Sequence, residues 1–184
     1  GVPTISIFLK PPGVIPPGGS TTICCSCQCC NGNFVLYKDG HQVRTLEQTS
    51  SWAEFPISNA TYKDKGTYNC HYVEGGTVLA RSDSLDVMVK GIHLPGPDLS
   101  IMPGHEVTAG TQVTFRCTTT HPSTGCFLYL EGQIRAQILS REQDYYNFSH
   151  VQKGGEGRYS CQCFTRNASE EWSAVSKTLD LVVR

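Results

Sequence analysis

The sequence predicts an all-β chain of two tandem β-sandwich domains, residues 1–90 and 91–184, joined by a short elbow. Three observations predict it. Short apolar alternations are separated by turn residues, with no helical period of useful length. Blocks of the first half recur in order in the second. Two cysteine pairs, Cys25/Cys70 and Cys117/Cys161, sit at nearly the same spacing in the two halves.

The repeat runs through the whole chain. Gly18-Gly19-Ser20-Thr21-Thr22-Ile23-Cys24-Cys25 matches Gly110-Thr111-Gln112-Val113-Thr114-Phe115-Arg116-Cys117. Phe34-Val35-Leu36-Tyr37-Lys38-Asp39-Gly40 matches Cys126-Phe127-Leu128-Tyr129-Leu130-Glu131-Gly132. Gly66-Thr67-Tyr68-Asn69-Cys70 matches Gly157-Arg158-Tyr159-Ser160-Cys161, and Ser84–Val89 matches Thr178–Val183. Two copies of this size read as a domain duplication rather than a solenoid. Within each copy Val113, Phe115 and Cys117 alternate inward, as do Phe34 and Leu36. Turns are marked by Pro16-Pro17-Gly18-Gly19, Asn31-Gly32, Asp39-Gly40, Gly75-Gly76, Glu131-Gly132 and Gly154-Gly155. Lys90–Pro97, bent by glycine and stiffened by two prolines, reads as the junction.

Each second cysteine ends a Gly-x-Tyr-x-Cys motif, with Tyr68 and Tyr159 two residues upstream. In an immunoglobulin sandwich such a tyrosine packs in the core and bonds backbone upstream, while its cysteine joins strand F to strand B. This predicts bridges Cys25–Cys70 and Cys117–Cys161, each stabilising its domain by about 4 kcal/mol on a chain-entropy estimate. The first half carries Asp64-x-Gly66-x-Tyr68-x-Cys70; the second has Gly155 in place of that aspartate.

On these residues the chain resembles the paired-domain receptors of the leukocyte receptor cluster. These are the killer-cell and leukocyte immunoglobulin-like receptors, the IgA Fc receptor, the platelet collagen receptor and chicken immunoglobulin-like receptors. Further carriers are Leu36 where other immunoglobulin domains place a core tryptophan, Ala53–Ile57, Ser82–Val87 and Glu171-Trp172-Ser173-Ala174-Val175-Ser176. The last is similar to the family's Trp-Ser-x-x-Ser motif, which the first half replaces with Val78-Leu79. Neither Trp52 nor Trp172 stands at the strand-C position. The resemblance implies C2/I-type domains and a ligand-binding ectodomain of an immune-cell receptor. The ligand it implies is a protein: class I major histocompatibility molecules, an antibody Fc or collagen.

Six cysteines remain. Cys126 and Cys163 point inward from neighbouring strands, so a Cys126–Cys163 bridge fits, with two buried thiols as the alternative. The first half has Phe34 and Tyr72 there and can form no equivalent. Cys24, Cys27, Cys29 and Cys30 crowd the end of one strand, and their pairing stays open. A Cys27–Cys30 link requires the chain to turn, and Cys24, facing away from the core, reads as a free thiol or an intermolecular link. These ligands lack the spaced pairs of a structural zinc site, so no metal is expected.

Composition bounds the function. Ten cysteines in 184 residues point to an oxidising, extracellular compartment. A net charge of −1, from 15 Lys plus Arg against 16 Asp plus Glu, gives no footprint for nucleic acid. No apolar run reaches the roughly 18 residues of a membrane span and no leader opens the chain, which predicts an excised ectodomain of a plasma-membrane protein or a secreted chain. A signalling adaptor would have to be reached through a membrane segment outside this sequence. No nucleophile elbow, phosphate-binding loop or zinc-protease motif appears, and the six histidines are scattered, so neither enzyme activity nor a cofactor is expected. The competing class is a soluble plasma glycoprotein, some relatives of which resemble protease inhibitors.

Asn59-Ala60-Thr61, Asn147-Phe148-Ser149 and Asn167-Ala168-Ser169 are N-glycosylation sequons. In tandem immunoglobulin domains Asn59 and Asn167 fall toward the elbow. The outer tip of domain 1 carries no sequon. That places the expected ligand surface on Gln28, Asn31, Asn33, Val73, Glu74 and Thr77.

Overall fold

The structure, a computed structural model, describes residues 4–28, 32–47, 51–120, 123–131, 133–139, 145–148, 150–166 and 169–184, with the side chains of 47, 133–139 and 145–148 left undescribed. The chain divides into two compact units, Gly1–Lys90 and Gly91–Arg184.

The first unit contains β1 (Ile5–Lys10), β2 (Thr21–Cys27), β3 (Asn33–Lys38), β4 (His41–Glu47), β5 (Trp52–Ile57), β6 (Gly66–Glu74), β7 (Thr77–Arg81) and β8 (Leu85–Val87). One sheet has the order β1-β2-β5; the other has β4-β3-β6-β7, with β8 also on β6. Alternation explains the layering. In β1, Ile5, Ile7 and Leu9 are buried; in β5, Ala53 and Phe55 are. They meet Phe34, Leu36, Tyr68, Cys70 and Tyr72 of the facing sheet in one core. The bridge Cys25–Cys70 joins β2 to β6 across it, with Cα atoms 6.5 Å apart.

The second unit contains β9 (Ile92–Leu94), β10 (Asp98–Met102), β11 (Glu106–Val107), β12 (Val113–Thr118), β13 (Gly125–Leu130), β14 (Gln133–Leu139), β15 (Tyr145–Phe148), β16 (Gly157–Arg166), β17 (Glu170–Ser173) and β18 (Leu179–Val183). One sheet is β10-β12-β15. The other is β11-β18-β16-β13-β14, extended by β17 and β9. Cys117–Cys161 joins β12 to β16 with Cα atoms 6.6 Å apart. A further bridge, Cys126–Cys163, lies within one sheet between register partners on β13 and β16. The matching pair in the first unit, Phe34 and Tyr72, is also in register and packs ring against ring at 5.7 Å. Part of the segment read as a junction is not a linker: Ile92–Leu94 is a strand parallel to β17, and Ala174 N–H donates to Leu94 O at 3.0 Å.

Both tyrosine corners are formed. Tyr68 donates its hydroxyl to Asp64 O at 2.6 Å, and Tyr159 to Gly155 O at 2.5 Å. The acceptor is backbone, so the missing aspartate of the second unit costs the corner nothing. Asp64 instead caps a short 3₁₀ turn, its carboxylate accepting from Thr61 N–H at 2.8 Å.

A second repeated device accompanies the corners. Asp39 (φ 49°) and Glu131 (φ 51°) take the left-handed conformation in the turns after β3 and β13. Their carboxylates accept the backbone N–H of Thr67 at 2.9 Å and of Arg158 at 2.8 Å. A Cβ on the preceding Gly66 or Gly157 would lie 2.9 Å from Asp39 Oδ2 or 2.5 Å from Glu131 Oε1, so a larger residue there would displace the accepting carboxylate.

Candidate ligand-binding tip

At the far end of β2 and β6, Gly32 meets the β6–β7 hairpin of the first unit. The β6–β7 hairpin closes between Glu74 and Thr77 over Gly75 (φ 58°) and Gly76 (φ 81°). Two consecutive positive φ angles define the tightest hairpin turn, which glycine adopts without steric cost. Gly32 packs closely against it: a Cβ there would collide with Val73 O and sit 2.9 Å from the Tyr72 ring. Tyr72, buried beneath, donates its hydroxyl to Glu74 at 3.3 Å. Cys27, at the end of β2, is buried and disulfide-bonded. Gly32 and the hairpin are therefore held from below by the packing of Tyr72.

The structure places Asn33 and Val73 as register partners, both half-buried, with Glu74 and Thr77 exposed on the hairpin. Gln28 is exposed just past β2. Asn31, Cys29 and Cys30 lie outside the described residues. Asn59 is exposed in a turn with φ 50°, a conformation asparagine tolerates. Asn147 falls on β15, its side chain undescribed, and Asn167 lies outside the described residues.

One cluster near the tip belongs to no motif of the sequence. His71 stacks on Tyr37 across β3 and β6 at 4.2 Å and stands in register with Arg81 of β7. Burial, followed by the Arg81 charge, lowers the His71 pKa below its ordinary value, and its Nδ1 is buried without a hydrogen-bond partner. Strand parity is the signal that could have found it, since Tyr37 and His71 both lie on the outward face of adjacent strands.

Cys24 is a free thiol, one of the two states expected for it. It faces outward from its sheet, but it is fully buried rather than available for an intermolecular link. Its register partner Phe8 meets the Trp52 ring edge-on at 5.3 Å, so two aromatic rings roof the outer face. Burial first, and then Glu54, push the thiol up to about 11 against an opposing effect of Lys10. Among the described residues no group of three or more His, Cys, Asp or Glu side chains could hold a metal.

In the second unit the Trp-Ser-x-x-Ser segment acquires a physical role. Trp172 is buried and stacks on Phe127 with planes 7° apart. Ser173 and Ser176 accept the N–H groups of Cys163 at 3.0 Å and Cys161 at 2.9 Å, standing in for a neighbouring strand. In the first unit Ser82 serves Cys70 in the same way at 2.8 Å, while Val78 and Ala80 stay paired with β6 across a register shift between Tyr72 and Val73.

The immunoglobulin domain family matches residues 3–89, the whole sandwich of the first unit. Mouse leukocyte immunoglobulin-like receptor subfamily B member 4A is 26% identical over 74% of the chain and 43% of its own length. The first unit thus matches the immunoglobulin domain family, and the chain is similar to the leukocyte immunoglobulin-like receptors. Human immunoglobulin superfamily member 1 is 30% identical over 98% of the chain, which spans only 14% of that relative's length. Among solved structures, the human OSCAR ligand-binding domain is 28% identical, covering 97% of each chain with a TM-score of 0.46.

Proposed function

We propose that this chain is the extracellular ligand-binding region of an immune-cell surface receptor, its two domains spanning residues 1–90 and 91–184. In this reading it recognises a protein ligand with the outer tip of the first domain, through Gln28, Asn31, Asn33, Val73, Glu74 and Thr77. The ligand is drawn from class I molecules, antibody Fc and collagen. Asn59, Asn147 and Asn167 carry N-glycans away from this tip, and signalling passes to an adaptor through a membrane segment elsewhere in the protein.

The observation that carries the reading is the preorganised tip. Gly32, wedged on Val73 and Tyr72, and the two-glycine hairpin give the tip a tightly packed base on a bridged sandwich. Rigid loops lower the ordering cost of binding. Among the described residues no helix is long and apolar enough to cross a membrane. The test is a binding screen of the purified chain on surfaces bearing class I molecules, Fc and collagen. Saturable binding to one surface that Glu74→Lys or Thr77→Arg abolishes supports the reading. Binding that survives both variants places the site elsewhere.

A further inference from the structure

The outer face of strands β3, β6 and β7 carries a polar site that the second domain does not repeat. The Gly-x-Tyr-x-Cys motifs align His71 with Gln162, and the strands before them align Tyr37 with Tyr129. Ser82 and Ser176, which accept the N–H of Cys70 and of Cys161, align Arg81 with Val175. In the second domain this position is neutral and closed. Gln162 is fully buried, accepts the Tyr129 hydroxyl at 3.0 Å and donates to Ser173 O at 2.9 Å.

In the first domain the same position is cationic and incompletely bonded. Tyr37 stacks on the half-buried His71 ring at 4.2 Å, and Asn69 Nδ2 approaches its Nε2 at 3.4 Å. An amide N–H donating to Nε2 leaves the proton of the neutral ring on Nδ1. That Nδ1 is buried with no hydrogen-bond partner among the described residues. Buried polar groups are bonded in the great majority of cases, so an exception calls for a reason.

Arg81 stands directly across from His71. Ser82 N–H donates to Cys70 O, so the next pair, His71 and Arg81, is the narrow one of the ladder, where side chains come closest. Arg81 is exposed, and Leu79, on the same side of β7, is 37% exposed. No described carboxylate bonds to Arg81, and every side chain of β3, β6 and β7 is described. The groups facing His71 are Tyr37 of β3, Asn69 of its own strand and Arg81 of β7. Burial first, and the opposed Arg81 charge second, favour the neutral imidazole. A carboxylate seated on Arg81 cancels that repulsion and adds an attraction.

We propose that Arg81 and His71 form a docking point for an acidic side chain of a protein partner, and that His71 takes up a proton as the carboxylate seats. Leu79 supplies an apolar contact beside the ion pair. The site lies on the strand that leaves the tip hairpin, and it rests on the protein-ligand reading only for the class of partner. Because coupling between two ligands is reciprocal, affinity for the acid rises as pH falls through the range where His71 titrates.

The probe is the peptide acetyl-Leu-Glu-Leu-amide, titrated into the whole chain at pH 8 and pH 6 while NMR follows the Arg81 Nε–H and His71 ring resonances. Its carboxylate is ionised at both values. Acetyl-Leu-Gln-Leu-amide is the control. Saturable shifts centred on Arg81 and His71 are expected for the acidic peptide alone, with binding at least about threefold tighter at pH 6. Arg81→Gln should weaken it about tenfold, the loss of one charge pair. His71→Gln, the residue type the second domain has at Gln162, should keep binding at pH 8 and remove its pH dependence. Three results overturn the proposal: no saturable shift at Arg81, equal affinities at the two pH values, or a pH dependence that His71→Gln leaves intact. None of them bears on the tip, whose variants are read in the binding screen.

Discussion

The hydroxyl of Ser176 accepts the backbone N–H of Cys161 at 2.9 Å, in a buried position beside the bridge to Cys117. Ser176 donates in turn to Lys177 O, so one side chain closes the gap where β17 leaves β16. Ser176→Ala strands that buried N–H and should cost about 1–3 kcal/mol. Ser82→Ala acts on the partly buried Cys70 N–H and should cost less. Thermal unfolding of the two variants checks the order.

Gly32→Ala should destabilise the first domain by about 1–3 kcal/mol, the range for overpacking against structure that must move. The obstructing atom is a backbone oxygen, Val73 O, which cannot rotate aside. Gly75 and Gly76 have open space where a Cβ would project but left-handed φ, so Gly76→Ala should cost about 1–2 kcal/mol through backbone strain alone. Denaturant midpoints separate the two, and only Gly32→Ala should also disturb the Tyr72 ring resonances.

Stability should fall on acidification in two windows. His71 has a folded pKa below its ordinary value of 6.5, so below that value the unfolded chain takes up the proton first and stability is lost. Glu156 accepts the Val183 N–H, which together with Lys153 lowers its pKa from 4.5; its contribution, present above that value, is lost as pH falls through the folded pKa. Urea unfolding across pH checks both. His71→Asn should flatten the upper window and Glu156→Gln the lower.

Cys24 should behave as an inert thiol. Its burial and its pKa of about 11 leave almost no accessible thiolate at neutral pH. Iodoacetamide labelling followed by peptide mass mapping should leave Cys24 unmodified in the native chain and modify it in guanidinium. The same map should recover Cys25–Cys70, Cys117–Cys161 and Cys126–Cys163 as linked peptides.

The duplicated sandwich is legible in the sequence because its markers are local: Gly-x-Tyr-x-Cys holds the corner, its glycine and one face of its strand in five residues. Inward parity likewise brings Cys126 and Cys163 to neighbouring positions. The Asp39 and Glu131 contacts are not legible, since each joins a left-handed turn to a strand far along the chain. The burial of the free thiol Cys24 is not legible for a related reason. Parity gives the side of a sheet a residue faces, but its exposure depends on Phe8 and Trp52, brought from two other strands. The strand at Ile92–Leu94 escapes a sequence reading because Gly91 before it and Pro95-Gly96-Pro97 after it suggest only a bend.

If the tip of the first domain holds the protein ligand, a bulky cation placed there must cost affinity and leave the fold alone. The parent chain and the Thr77→Arg variant are compared by surface plasmon resonance on whichever of the class I, Fc or collagen surfaces the parent recognises, with unfolding midpoints recorded in parallel. At least about a tenfold loss of affinity with an unchanged midpoint is expected, the signature of a blocked contact rather than a damaged fold. Equal affinities for parent and variant would contradict the assignment of the ligand to the tip.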